Sequence, residues 1–390
     1  MYRSLDILSQ AQNEIQAHFF NLHKNIFSSD LSVVFYDVTT LYFDVSMPVD
    51  ENDIRQKGWS KDGKHKKLQV VLGILVDKFR NPLTYRIYRG DTYEGHTFSD
   101  VVNKLKNEYQ LSNLVIVADS GMLMNDNIEQ IKKSNYEYIV GDRLKSLTKE
   151  AKKYLTDKSN YTKLVLGKDD ESNEICIDYV VYPYKGRTIV CTWSAKRAKK
   201  DAHEREQLKA KAMKYVEKPS LLEQHSAGGA KKYLKIETSK IELNVTKIEE
   251  DARYDGFKAI ATNIENPNVK QLLEQYSNLF EVEHAFRTMK SHLEIRPMFH
   301  WTEKRIEGHL SMCFIAYTLL NRLRLQMNWS EQKCFTVLNK MQVSLVEQKF
   351  DGSKLYLRSA MNQDTELLIS KMRLNKLNDT VPYDLIMSNI

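Results

Sequence analysis

The 390-residue chain carries 58 Lys and Arg against 51 Asp and Glu, a net charge of +7 that is compatible with a polyanionic partner without requiring one. Its length exceeds a single small core and fits one large domain with an insertion, or two to three domains. Four cysteines (Cys176, Cys191, Cys313, Cys334) without a CxxC pair or His at metal spacing argue against a zinc site or disulfide framework and fit a reducing cytoplasm, while the lack of an apolar leader or of a run near the ~18 residues of a span argues against secretion and membranes.

Leu8, Ala11, Ile15, Phe19, Leu22 and Ile26 recur at three and four and predict an amphipathic lead-in helix. Runs of β-branched and aromatic residues at 31–36, 41–46 and 68–76 predict three consecutive antiparallel strands. Residues 97–109 follow as a helix, 114–118 as a buried strand, 125–134 as a helix and 136–140 as a strand, an order that makes an α/β sheet of mixed direction. Short alternating runs around a charged helix at 196–216 predict an inserted, mostly β subdomain. A strand at 257–262, one long helix at 268–292 and an apolar helix at 306–325 complete the pattern. The expected division is a lead-in helix at 1–30, a first part of the core at 31–143, a β-rich insertion at 144–255, a second part of the core with the glutamate helix at 256–330, and a C-terminal region at 331–390.

Three acids carry the chemistry. Asp37 and Asp119 each follow a predicted strand, where an α/β sheet presents ligands, and Glu283 lies inside the predicted helix. Clustered carboxylates offer hard oxygens that suit Mg²⁺, and two ions about 3.5 to 4 Å apart can activate a water or a 3′-hydroxyl and stabilise the leaving oxygen. Taken singly, an aspartate at a strand end is more often a turn former or helix cap. Seven-residue spacing on one helix puts Tyr276, Glu283 and Lys290 on a single stripe, with Arg287 one turn from the acid. Lys290 then contacts a phosphate oxygen and Tyr276 donates a hydrogen bond to it. The competing view is a solvated face with Glu283 paired to Arg287.

With these residues in register the chain resembles the DDE transposases of bacterial insertion sequences, in the group whose third-acid helix reads Tyr, two residues, Arg, three residues, Glu, six residues, Lys. Leu279 occupies the Arg slot, and Arg287 is the candidate replacement for that charge. The blocks at 36–43, 117–122 and 295–309 look like the family's first-acid strand, second-acid strand and post-glutamate segment, so the resemblance spans about residues 31–325. It implies an RNase H-like mixed sheet flanked by helices, with the β-rich insertion between the second and third acids. Asp37, Asp119 and Glu283 would be the catalytic metal ligands for two Mg²⁺ ions, with Mn²⁺ as a substitute. The implied reaction is DNA strand cleavage and strand transfer, on double-stranded transposon ends and target, by a homodimer in the synapse. In related transposases an insertion aromatic stabilises a flipped base, which makes Trp193 a candidate, with a core tryptophan as the alternative.

Two basic stretches are further candidates for the DNA backbone: the helix at 196–214, and the turn containing Lys57, Trp59, Lys61, Lys64, His65, Lys66 and Lys67. Each is equally a solvated surface. His96, His292, His300 and His309 show no ligand spacing and are expected to pack or cap. Only 36 residues precede Asp37 (37 − 1), fewer than the family's DNA-binding region, so an N-terminally truncated transposase is expected. A catalytically silent DNA-binding remnant and an RNase H-like nuclease of other function stand as alternatives.

Overall fold

In a computed structural model, residues 2–26, 33–44, 49–59, 67–109, 111, 114–122, 124–168, 174–221, 228–237, 240–347, 349–350, 352–374, 378 and 380–382 are described. Two interleaved compact units emerge. The first comprises Met1–Asp30, Asp37–Thr92 and Phe280–Ile390, and the second Leu31–Tyr36 and Tyr93–Leu279.

The first unit opens with α1 (Tyr2–Gln10) and α2 (Gln12–Ile26), a helix pair broken at Ala11 where one lead-in helix is expected. β1 (Val33–Tyr42) enters from the second unit and belongs to the first from Asp37 onward. β2 (Gln56–Lys57), β3 (Leu68–Asp77) and β4 (Pro82–Arg89) follow. β3 pairs antiparallel with β2 and β4 and neighbours β1, and all ten of its residues are buried. A strand covered on both faces reads as a near-continuous apolar run, which Gln69 interrupts and Asp77 ends here. The sheet carries two corrections. The strands expected at 31–36 and 41–46 are one continuous strand as far as Tyr42, because Thr39 and Thr40 are buried β-branched strand residues instead of a turn. β4 is an additional strand, started by Pro82, a position where a missing N–H is tolerated.

The second unit's sheet runs β1, β5 (Val115–Ala118), β6 (Glu137–Asp142), β12, β9, β8, β7. Here β7 is Thr162–Lys168, β8 Glu174–Tyr184 and β9 Arg187–Trp193, while the hairpin β10 (Leu234–Glu237) and β11 (Lys240–Leu243) stands apart and β12 is Phe257–Thr262. Val33–Tyr36 of β1 pair parallel with β5, and β5 pairs parallel with β6. From β6 outward every pairing is antiparallel. The mixed α/β class expected from the sequence is what forms. Of the strands in the 144–255 stretch, β7, β8 and β9 extend this sheet through the β9–β12 pairing while β10 and β11 form their own hairpin, and helices share the stretch with them.

The unit's helices are α3 (Phe98–Asn107), α4 (Asn125–Lys133), α5 (Lys149–Thr156), α6 (Ala195–Glu217), α7 (Val245–Ala252) and α8 (Val269–Ser277). The first unit resumes with α9 (Phe280–Ser291) and the long α10 (Glu303–Met327). It closes with α11 (Glu331–Lys340), the three-stranded β13 (Val343–Glu347), β14 (Lys354–Arg358) and β15 (Thr380–Pro382), and α12 (Gln363–Lys371). α10 and α2 cover β4: Tyr85 packs on Phe314 with centroids 5.1 Å apart and shares a 2.6 Å hydrogen bond with Ser311, while Gln16 accepts from the Thr84 hydroxyl at 2.5 Å. Among the described residues no helix is long and apolar enough to cross a membrane.

The helix expected across 268–292 is two helices. Asn278 caps α8, its N–H bonded to the carbonyls of Glu274 and Gln275, and the Ser277 hydroxyl bonds the Glu274 carbonyl. Such local bonds compete with helix continuation, so seven-residue spacing places Glu283 and Lys290 on one stripe of α9 but does not extend to Tyr276 on α8.

Candidate active site

In the first unit, Asp37 and the terminal Tyr42 are the two positions of β1 that are not fully buried. It lies in mid-strand, not at the strand end expected from the sequence, and accepts the Val38 N–H at 2.8 Å. α9 buries Val282, Ala285, Phe286, Thr288 and Met289 and turns Glu283 and Arg287 outward, with Lys290 half-buried. Asp37, Glu283, Arg287, Lys290 and Arg296 line one open cleft of about 530 Å³. Two carboxylates and three cations thus share a cavity wide enough for a phosphodiester.

The segment beyond α9 is tied to the end of β1. The Met298 N–H donates to the Tyr42 carbonyl at 2.9 Å, and Met298 bridges Phe43 in parallel. This brings the Arg296 guanidinium 5.6 Å from the Tyr42 ring. Arg296 is the cleft residue that sequence reasoning missed, although it stands inside the block that resembles the family's post-glutamate segment. Behind the cleft, Arg80 at the β3–β4 turn pairs with Glu281 and lies 3.8 Å from Glu331, which also accepts the Thr288 hydroxyl. Burial, followed by the charges of Arg80 and Arg287, pushes His284 below the ordinary histidine range.

In the second unit, β5 is wholly buried and Asp119, the next residue, is exposed and accepts the Ser120 N–H at 2.6 Å. Tyr276 is 8% exposed, and its hydroxyl lies so close to Gly141 that a Cβ there would stand 2.6 Å from the oxygen. Burial, reinforced by the Asp119 charge, pushes its phenol up to about 12. The Lys258 ammonium sits 4.3 Å from the Tyr276 ring centre. Burial, with the like charge of Arg197 adding and Asp119 opposing, lowers the Lys258 pKa. Sequence reasoning missed Lys258 as well, and its signal was a lysine inside an otherwise apolar strand.

Trp193 ends β9, donates its indole N–H to the Asp255 carbonyl at 3.1 Å and carries the Lys158 ammonium 3.3 Å from its ring centre. On α6, Lys200 and Lys209 pair with Glu204 and Glu206, as a solvated helix face would. Of the basic turn, Lys57 and Trp59 are exposed and Lys67 pairs with Asp44, while Lys61, Lys64, His65 and Lys66 lie outside the described residues. Among the described residues, no three His, Cys, Asp or Glu side chains form a ready-made metal cage.

The family model of the transposase DDE domain matches residues 29–319. The chain belongs to that family. Among solved structures, this DDE-domain chain is similar to a piggyBac transposase synaptic complex with hairpin DNA, at 10% identity and TM-score 0.40, covering 79% of this chain and 52% of that one. It is also similar to a Mos1 transposase paired-end complex with the left transposon end, at 12% identity and TM-score 0.20, covering 35% of this chain and 41% of that one. The chain therefore spans about half the length of the piggyBac transposase chain it matches. No curated protein matches it.

Proposed function

We propose that this chain is the catalytic domain of an insertion-sequence transposase, cutting and joining DNA phosphodiesters at a divalent-metal site formed by Asp37, Asp119 and Glu283. Membership of the transposase DDE domain family supports the reaction class. The observation that carries the residue assignment is the cleft shared by Asp37, Glu283, Arg287, Lys290 and Arg296. Its carboxylate donors and open geometry suit Mg²⁺, with Mn²⁺ as a substitute, better than metals that favour nitrogen and sulfur. The bound metal would supply charge neutralisation at phosphorus and activation of the attacking oxygen.

The chain's own residues position the substrate. Arg287 spans two phosphate oxygens as a fork, Lys290 acts as a point charge, and Tyr276, kept protonated by burial, donates a hydrogen bond. Attack by water and attack by a 3′-hydroxyl are both in-line displacements at phosphorus, so one site serves cleavage and joining. The substrate is double-stranded DNA, as element ends and as target, bound by two copies of the chain in a synapse. Trp193 would exchange its Lys158 ammonium for a flipped base.

Nicking of supercoiled plasmid in Mn²⁺ tests the assignment. Asp37→Ala and Glu283→Gln are each expected to slow nicking by about 10³-fold with the circular dichroism spectrum unchanged. Nicking at the wild-type rate in both variants overturns the proposal. A wild-type chain that binds DNA without cutting it is the silent remnant instead.

A further inference from the structure

Lys258 is unusual in its setting. It is the second residue of β12, a strand flanked by β6 and β9, and it breaks the otherwise apolar run Phe257-Lys-Ala-Ile-Ala. Lysine is among the residues least often placed inside a sheet without a partner. Apart from the Tyr276 ring, the charges acting on it are Asp119, which attracts, and Arg197, which repels. Among the described residues, no hydrogen bond and no ion pair holds its ammonium.

Lys258 and Arg197 line one cleft of about 470 Å³. Most other charges there are already engaged. Asp251 is bound by Lys145 at 2.5 Å and Lys232 at 2.9 Å, Asp142 by Arg187 at 2.8 Å, and Asp255 by Arg205. Arg197 comes no closer than 3.6 Å to Asp201, whose carboxylate already accepts the Gly256 N–H at 2.9 Å. The half-buried Lys258 and the exposed Arg197, which repel one another, thus line one cleft in which Asp201 is the carboxylate beside the guanidinium and none holds the lysine, an arrangement that an entering anion would relieve. If Asp119 serves a metal, its attraction for Lys258 is diverted as well.

We propose that Lys258 and Arg197 form a second phosphate subsite, gripping the DNA backbone beside the scissile phosphate held at Asp119. The lysine acts as a point charge and the guanidinium as a fork across two oxygens. This inference rests on the transposase reading above and adds to it two residues outside the DDE set.

Binding to a fluorescein-labelled duplex, followed by anisotropy across a salt series in EDTA, tests it without metal or turnover. Each phosphate contact adds about 0.9 to the slope of log affinity against log salt. Lys258→Met and Arg197→Gln are each expected to flatten the slope by about 0.9 and the double variant by about 1.8, while Lys258→Arg keeps the wild-type slope. Unchanged slopes in folded Lys258→Met and Arg197→Gln overturn the inference and leave Lys258 as a structural partner of Tyr276. Should Lys258→Met fail to fold, Arg197→Gln decides alone, because Arg197 is exposed, and an unchanged slope there is equally fatal. A wild-type chain that neither binds nor nicks DNA overturns the transposase reading instead. Wild-type nicking alongside unaltered slopes overturns only this subsite.

Discussion

The helix that carries Glu283 and the strand that carries Asp119 are held in place by different forces. α9 buries an apolar face but is also fixed by polar contacts, since Arg80 reaches Glu281 and Glu331 and Thr288 donates to Glu331. Arg80 adopts a left-handed φ of 68°, a conformation that costs a non-glycine residue free energy and that this network supports. β5 is four buried apolar residues between two parallel neighbours, with no polar side chain in the strand. A glutamate on a helix needs its azimuth set, which directional ion pairs can do. An aspartate at a strand end takes its direction from the pleat and from the single Ser120 N–H bond.

The contrast makes unequal demands on the two elements, and mutation can separate them. Ile116→Ala in β5 removes a fully buried side chain and is expected to cost about 4 kcal/mol in urea unfolding. Arg80→Ala strands two partly buried carboxylates and should cost about 3 kcal/mol. Replacing the charges together, as Arg80→Met with Glu281→Leu and Glu331→Gln, should recover most of that loss while blurring the helix azimuth, read as slower nicking at near-normal stability. If Arg80→Ala melts like wild type, the apolar face alone holds α9.

A smaller effect is read through acid. Burial, with the His300 charge adding, pushes His309 in α10 down to about 4, and its ring lies 3.6 Å from the Cys313 sulfur. The folded state therefore keeps this imidazole neutral while the unfolded chain binds a proton below about 6.5. Stability is fully present above that value and falls by about 3 kcal/mol as the pH drops toward 4. Urea midpoints across that window should flatten in His309→Leu, and an unaltered profile there would place the acid sensitivity elsewhere.

Much of this arrangement was legible in the sequence, where the deciding forces are local. The run at 114–118 is apolar on both faces and ends in a polar turn, so β5 and the position of Asp119 read directly. Asp37 misled because Val-Thr-Thr after an aspartate resembles a turn, whereas pairing brought by distant residues keeps β1 extended through it. The break at Asn278 was hidden because apolar periodicity continues across a two-residue cap. Arg296 reaches the cleft through a bridge between Phe43 and Met298, and Lys158 reaches Trp193 from 35 residues away (193 − 158). No spacing rule encodes contacts of that kind.

β1 also constrains how this chain can change. Its residues 33–36 are registered against β5, and Asp37 is the next position along. Side chains in a strand alternate between faces, so inserting or deleting one residue ahead of Asp37 would turn its carboxylate to the opposite side and offer Tyr36 or Val38 to the cleft in its place. Relatives should therefore drift freely in the composition of this strand's buried positions, but hardly at all in the number of residues that lead up to the acid.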